Sequence, residues 1–154
     1  MPTAHGVRLE RPGSGRKLMF GFVAGFIAVL LFHQPVLAFL AQIGFIKAHI
    51  YSSTATGPLG VPQVISLSFW GGVWGVLFAV IEAHFPRGIL YWICAFGFGA
   101  IFPTLVAWFV VAPLKTLPVA GGWHANSMIT GFLVNGAWSV GTALLIALGY
   151  RMAK

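Results

Sequence analysis

Five side chains are the candidates for chemistry in this sequence: Glu82, His33, Gln34, Thr104 and Asn135. Glu82, in VIEAHFPRG, is the only acid beyond the amino-terminal tail. A carboxylate among apolar residues can bind a proton or a cation, or pair with a base. Arg87 and Lys17 are the bases expected near it. At 1.5 Å per residue it lies roughly 27 Å along a helix from Val64, close to the far boundary of a span. It shares a helical face with Gly71, Gly75 and Ala79 to within about 20°, so it is expected to point into a bundle. There it would serve as an interfacial ion pair, as the mouth of a proton or cation pathway, or as a contact for a partner subunit.

His33 and Gln34 stand before Pro35 in LLFHQPVLAF. Proline has no N–H, so a regular helix would leave the carbonyl of Leu31 free. His33 lies roughly 22 Å along its helix from Leu18, and Thr104 and Asn135 fall within about a turn of that depth. A His33, Thr104 and Asn135 cluster is therefore expected, able to hold a proton, a ligand or a quinone. On a uniform helix His33 is about 80° and Gln34 about 180° from Gly25, so one glycine face does not orient both.

Enzyme patterns are missing. The sequence has no GxSxG, no HExxH, no Gly-rich phosphate loop and no pair of carboxylates. Its histidines, His5, His33, His49, His84 and His124, form no i, i+4 pair for a metal. Haem held by separate helices would have to use His33. Cys94 is the single cysteine, which excludes an intramolecular disulfide and CxxC chemistry, and it reads as a small buried hydrophobe. The expectation is a protein that is not an enzyme and has no metal or resident cofactor.

These residues must be positioned by membrane spans. The chain is 58% hydrophobic and 7% charged, against about 25% charged in soluble domains, so it cannot cover itself with a solvated surface. The net charge of +7 sits largely at the ends, which excludes a nucleic-acid groove and points to anionic lipid. A helical span needs about 20 apolar residues, and four windows qualify: about 18–40, 64–84, 89–112 and 128–150. Residues 1–17 read as a disordered basic tail and 151–154 as a short end. Arg8, Arg11, Arg16, Lys17, Arg87, Arg151 and Lys154 lie on one side of these spans, and Lys47 and Lys115 on the other. That asymmetry places both termini in the cytoplasm and predicts a multi-pass protein of a bacterial inner membrane. VLA at 36–38 resembles a signal-peptide cleavage site, but the apolar run continues to Ile46, so the segment is read as a retained helix.

The predicted fold is an all-α, compact four-helix membrane bundle. Lipid is as apolar as leucine, so small residues should mark the contact faces: Gly21 and Gly25, Gly71 and Gly75, Gly97 with Ala100 and Thr104, and Gly131 with Asn135, Trp138 and Thr142. Trp70, Trp92 and Trp123 read as interfacial anchors, and Trp74, Trp108 and Trp138 as deeper. FGFVAGF at 20–26 recurs as FGFGAIF at 96–102, and GVWGVLFAVI from Gly72 echoes GAWSVGTALLI from Gly136. The offsets are 76 and 64, as in a parallel tandem hairpin repeat with a gap. The leading functional expectation is a non-catalytic accessory or assembly subunit, with the bilayer and other membrane subunits, or itself, as partners. A small carrier or channel using Glu82 and the His33/Asn135 cluster comes second, and a haem or quinone binder third.

Overall fold

The computed structural model describes residues 14–57 and 59–152. Most of the expected tail, residues 1–13, and the last two residues lie outside this range. Four helices are long and apolar enough to cross a membrane: α1 Ser14–Gln42, α2 Gln63–His84, α3 Ile89–Leu114 and α4 Ala125–Met152. Each expected span is matched by one helix, extended by a few residues at one or both ends. Helix α4 is the least apolar and the most enclosed, because its polar residues face inward.

Prolines shape two of these helices. Val29–His33 in α1 and Ala107–Val111 in α3 wind as π-helix, so Gln34 N–H reaches back to Val29 O and Ala112 N–H to Ala107 O. In both, one further residue and then a proline follow, Pro35 and Pro113. A proline ring crowds the carbonyl four residues earlier and offers no N–H. Widening the preceding turn relieves that clash.

Loops close the bundle. Residues 43–62 join α1 to α2 and contain a small antiparallel hairpin, β1 Ala55–Thr56 with β2 Val61–Pro62, in which Ala55 faces Pro62. A tight turn through Pro86, Arg87 and Gly88 joins α2 to α3, with Gly88 at φ 74°. The α3–α4 loop makes a left-handed turn over Ala120–Trp123, at a cost of about 1–2 kcal/mol for each non-glycine residue.

Helix α1 packs along α2 and α4, and α4 packs along α3, giving the lateral order α2–α1–α4–α3. The α1–α2 contact is backbone on backbone. A Cβ on Gly21 would lie 2.6 Å from Gly75 O, and one on Gly25 or Gly75 would strike Gly71 O or Gly21 O. Aromatic rings seat over glycines elsewhere: Phe22 on Gly72, Phe96 on Gly136, Phe32 on Gly141 and Phe20 on Gly149. Such close approach is what lets helices associate without a hydrophobic drive between them.

The two hairpins use the same contacts. Phe22 covers Gly72 and Gly25 meets Gly71 O, while Phe96 covers Gly136 and Gly99 meets Asn135 O. Residues of α2 and α4 correspond at an offset of 64, as the sequence echo has it. Those of α1 and α3 correspond at 74, so the FGFVAGF match at 76 is two residues out of register. Gly97 is accordingly not a contact within the chain. A Cβ there would meet nothing within 4 Å among the described residues, whereas Ala95, Phe98, Gly99, Ala100, Pro103 and Thr104 are the buried residues of α3. Gly131 does pack, with Thr104 and Trp108 3.3 Å from an added Cβ.

Gly25→Ala is therefore expected to destabilise the protein by about 1–3 kcal/mol through overpacking. Gly97→Ala should be neutral or stabilising by up to about 1 kcal/mol, the helix-propensity gain. Thermal unfolding of both variants in detergent checks the contrast.

Candidate functional site

The wide turn in α1 puts His33 and Gln34 on the buried side together, at 8% and 4% exposure. The uniform-helix geometry that separated them does not hold, because a π turn rotates the succeeding residues about the helix axis. Gln34 Oε1 accepts from Tyr51 N–H at 2.8 Å. Tyr51 also donates its hydroxyl to Leu30 O at 2.6 Å. With Gln34 N–H engaged at Val29 and Pro35 lacking an N–H, Leu30 is the carbonyl left without a main-chain donor. The freed carbonyl met by a side chain is thus that of Leu30, not Leu31, and the α1–α2 loop folds back to satisfy it.

Thr104 and Asn135 come together as expected. Asn135 Nδ2 donates to Thr104 Oγ1 at 2.9 Å, and Thr104 donates to Gly131 O at 3.2 Å. His33 is not joined to them by hydrogen bonds: its Nδ1 is buried with no partner. The expected three-residue cluster is therefore a Thr104–Asn135 clasp between α3 and α4, with a solitary imidazole in α1. Ser139 Oγ and Tyr150 Oη are likewise buried without partners. An unpartnered buried polar atom is costly and needs a reason.

At the end of the bundle that carries both termini, Glu82 closes α2. Its Oε2 accepts from Tyr91 Oη of α3 at 2.6 Å. This hydrogen bond joins the end of α2 to the start of α3. A tyrosine hydroxyl, rather than a base, is the carboxylate's hydrogen-bond partner. Arg87 lines an open recess of about 620 Å³ together with Glu82, Phe85, Tyr91 and Trp92.

Residues that sequence reasoning missed are Tyr51, Tyr91 and Tyr150, and the role of Trp138. Trp138, 2% exposed, donates Nε1–H to Gly25 O at 2.9 Å, joining α4 to the α1–α2 glycine contact. Tyr91 carried one signal: it sits two residues into a helix, across a short turn from the only span carboxylate. Tyr51 carried none, since nothing in a loop sequence says that it returns to a helix. Among the described residues, no three His, Cys, Asp or Glu side chains gather. Cys94 is free and half-buried. Comparison with protein-family models, curated proteins and solved structures finds no match for this chain.

Tyr51→Phe is expected to cost about 1–3 kcal/mol by orphaning the Leu30 carbonyl. In a Pro35→Ala background the restored N–H removes that need, and the same change should cost about half or less. A double-mutant cycle on unfolding midpoints measures the coupling.

Proposed function

We propose that this chain is a four-span protein of a bacterial inner membrane, with both termini in the cytoplasm, acting as a non-catalytic accessory or assembly subunit. Its partner is a transmembrane helix of a larger complex. One observation carries this reading: the open glycine of α3. Within the spans, glycines beyond the first turn of α1 sit where an added Cβ would touch a neighbour, with Gly97 as the exception. Glycine in a helix interior costs about 1 kcal/mol relative to alanine, so it is expected where something approaches closely. Around Gly97 the exposed face continues through Leu90, Ile93 and Ile101, apolar side chains flanking a position without one, of the kind against which helices pack closely. The other candidate groups support a structural role, because Thr104, Asn135, Gln34 and Trp138 are engaged in helix-to-helix or helix-to-loop bonds.

Affinity isolation of the tagged protein from its native membrane, after mild detergent extraction, should recover a stoichiometric membrane partner. Gly97→Leu should lose that partner at least about tenfold, the loss of roughly 1.4 kcal/mol, while keeping the unfolding midpoint of the parent. Recovery of the parent alone, or an unaffected Gly97→Leu complex, would sink the proposal.

A second reading, a small carrier or channel, is favoured by His33. A buried imidazole with an unpartnered Nδ1, held in a π turn, is the form a proton or ligand group takes inside a membrane. Purified protein in liposomes would then show ion or proton flux that His33→Ala and Glu82→Gln each abolish. Liposomes no leakier than protein-free ones would dismiss it.

A further inference from the structure

The two hairpins meet asymmetrically. Trp138 of α4 reaches the backbone of α1 and bonds to Gly25 O. Its counterpart at the offset of 64 is Trp74 of α2, which faces α3 but meets a ring instead, Phe98, at 6.2 Å between centroids. Phe78 adds a second ring against Phe98 at 5.4 Å. The α2–α3 seam is therefore filled by aromatic rings, whereas at the α1–α4 seam an indole reaches a main-chain carbonyl. The former ends, at the terminus-bearing side, in the recess lined by Glu82, Phe85, Arg87, Tyr91 and Trp92.

The chemistry of that recess is two-signed. Glu82 presents a carboxylate whose Oε2 is steadied by Tyr91 Oη. Five residues on, across the turn, Arg87 is among the residues that line the same open recess. A guanidinium suits a phosphate in a bidentate fork, and a carboxylate suits an ammonium. The recess opens where the helices end, and its flank is apolar: Ile89, Leu90 and Ile93 are 73%, 52% and 59% exposed. Trp92, on the rim, has the amphipathic ring found at headgroup level. A single small ligand combines these features: an ammonium and a phosphate a few ångströms apart, continuing into acyl chains.

We propose that this recess binds the headgroup of a zwitterionic aminophospholipid. Its ammonium sits on Glu82 and its phosphate on Arg87, with the chains leaving past Ile89 at the mouth of the α2–α3 seam. The lipid caps the end of the ring-filled seam. This site rests on the four helices crossing a bilayer and not on the partner at Gly97.

The test is thermal unfolding of the full chain in detergent micelles, titrated with short-chain phosphatidylethanolamine, phosphatidylcholine or phosphatidylglycerol. Phosphatidylethanolamine should raise the midpoint at a concentration about tenfold below that needed by either other lipid, the order of one charge-assisted hydrogen bond. Glu82→Gln, which keeps an acceptor for Tyr91, should erase the preference over phosphatidylcholine and phosphatidylglycerol. Arg87→Gln lies in an exposed turn and tests the phosphate contact without burdening the fold; it should raise the concentration needed about tenfold. Equal action by all three lipids overturns the site, and so does a preference for phosphatidylglycerol or equal stabilisation by free phosphoethanolamine. Protein that fractionates without detergent overturns the membrane reading beneath it, whereas membrane-bound protein with no lipid preference overturns only this site.

Discussion

The bundle depends on how closely a second and a third helix approach Gly25. Its Cα lies against the Gly71–Gly75 backbone, and its carbonyl receives the indole N–H of Trp138. A side chain at this position would separate α1 from α2 and draw the carbonyl away from α4. Helices bathed in lipid gain little from burying apolar surface against one another, so contact distance and carbonyl bonds must supply the association. One residue with no side chain therefore organises three helices, and α3 joins them chiefly along α4, with side-chain contacts to α2.

That arrangement explains why two equivalent hairpins do not make a symmetric bundle. Gly25 and Gly99 occupy the same place in their hairpins, and Trp74 and Trp138 correspond in turn. If both tryptophans reached a neighbouring carbonyl, α2–α3 would close as tightly as α1–α4. Instead Phe98 stands between Trp74 and the α3 backbone. The position matching Phe98 in α1 is Ala24, which is small and buried. Where one seam carries the Phe98 ring, the matching position of the other carries a methyl group. The ring-filled seam leads to the only carboxylate among the described residues.

Much of this was legible in the sequence, and the failures have physical causes. Four spans, the Gly21/Gly25 and Gly71/Gly75 faces and the Thr104–Asn135 pairing come from length, hydropathy and helical spacing. Whatever relied on a uniform 100° step across a proline did not survive. The π turn before Pro35 moved Gln34 to the buried side and shifted the orphaned carbonyl from Leu31 to Leu30. Gly97 was grouped with Ala100 and Thr104 by helical spacing; those two are buried, while Gly97 lies at the edge of the face, where an added Cβ meets nothing among the described residues. Long-range partners such as Tyr51, which returns to its helix from a loop, have no periodicity to betray them.

Polar satisfaction separates scaffold from site. In α4, Thr130 and Thr142 bond to carbonyls of their own helix, while Asn135 and Trp138 reach α3 and α1. Those groups are committed, and in an apolar medium they have no better alternative. Among the described residues, the buried side-chain atoms without a partner are Nδ1 of His33 and the hydroxyls of Ser139 and Tyr150. Ser139 and His33 lie buried between helices. Glu82 and Arg87 border a recess large enough for a headgroup. A chain that binds most of its interior polar groups to its own helices leaves polar groups free to meet a ligand chiefly at the helix ends.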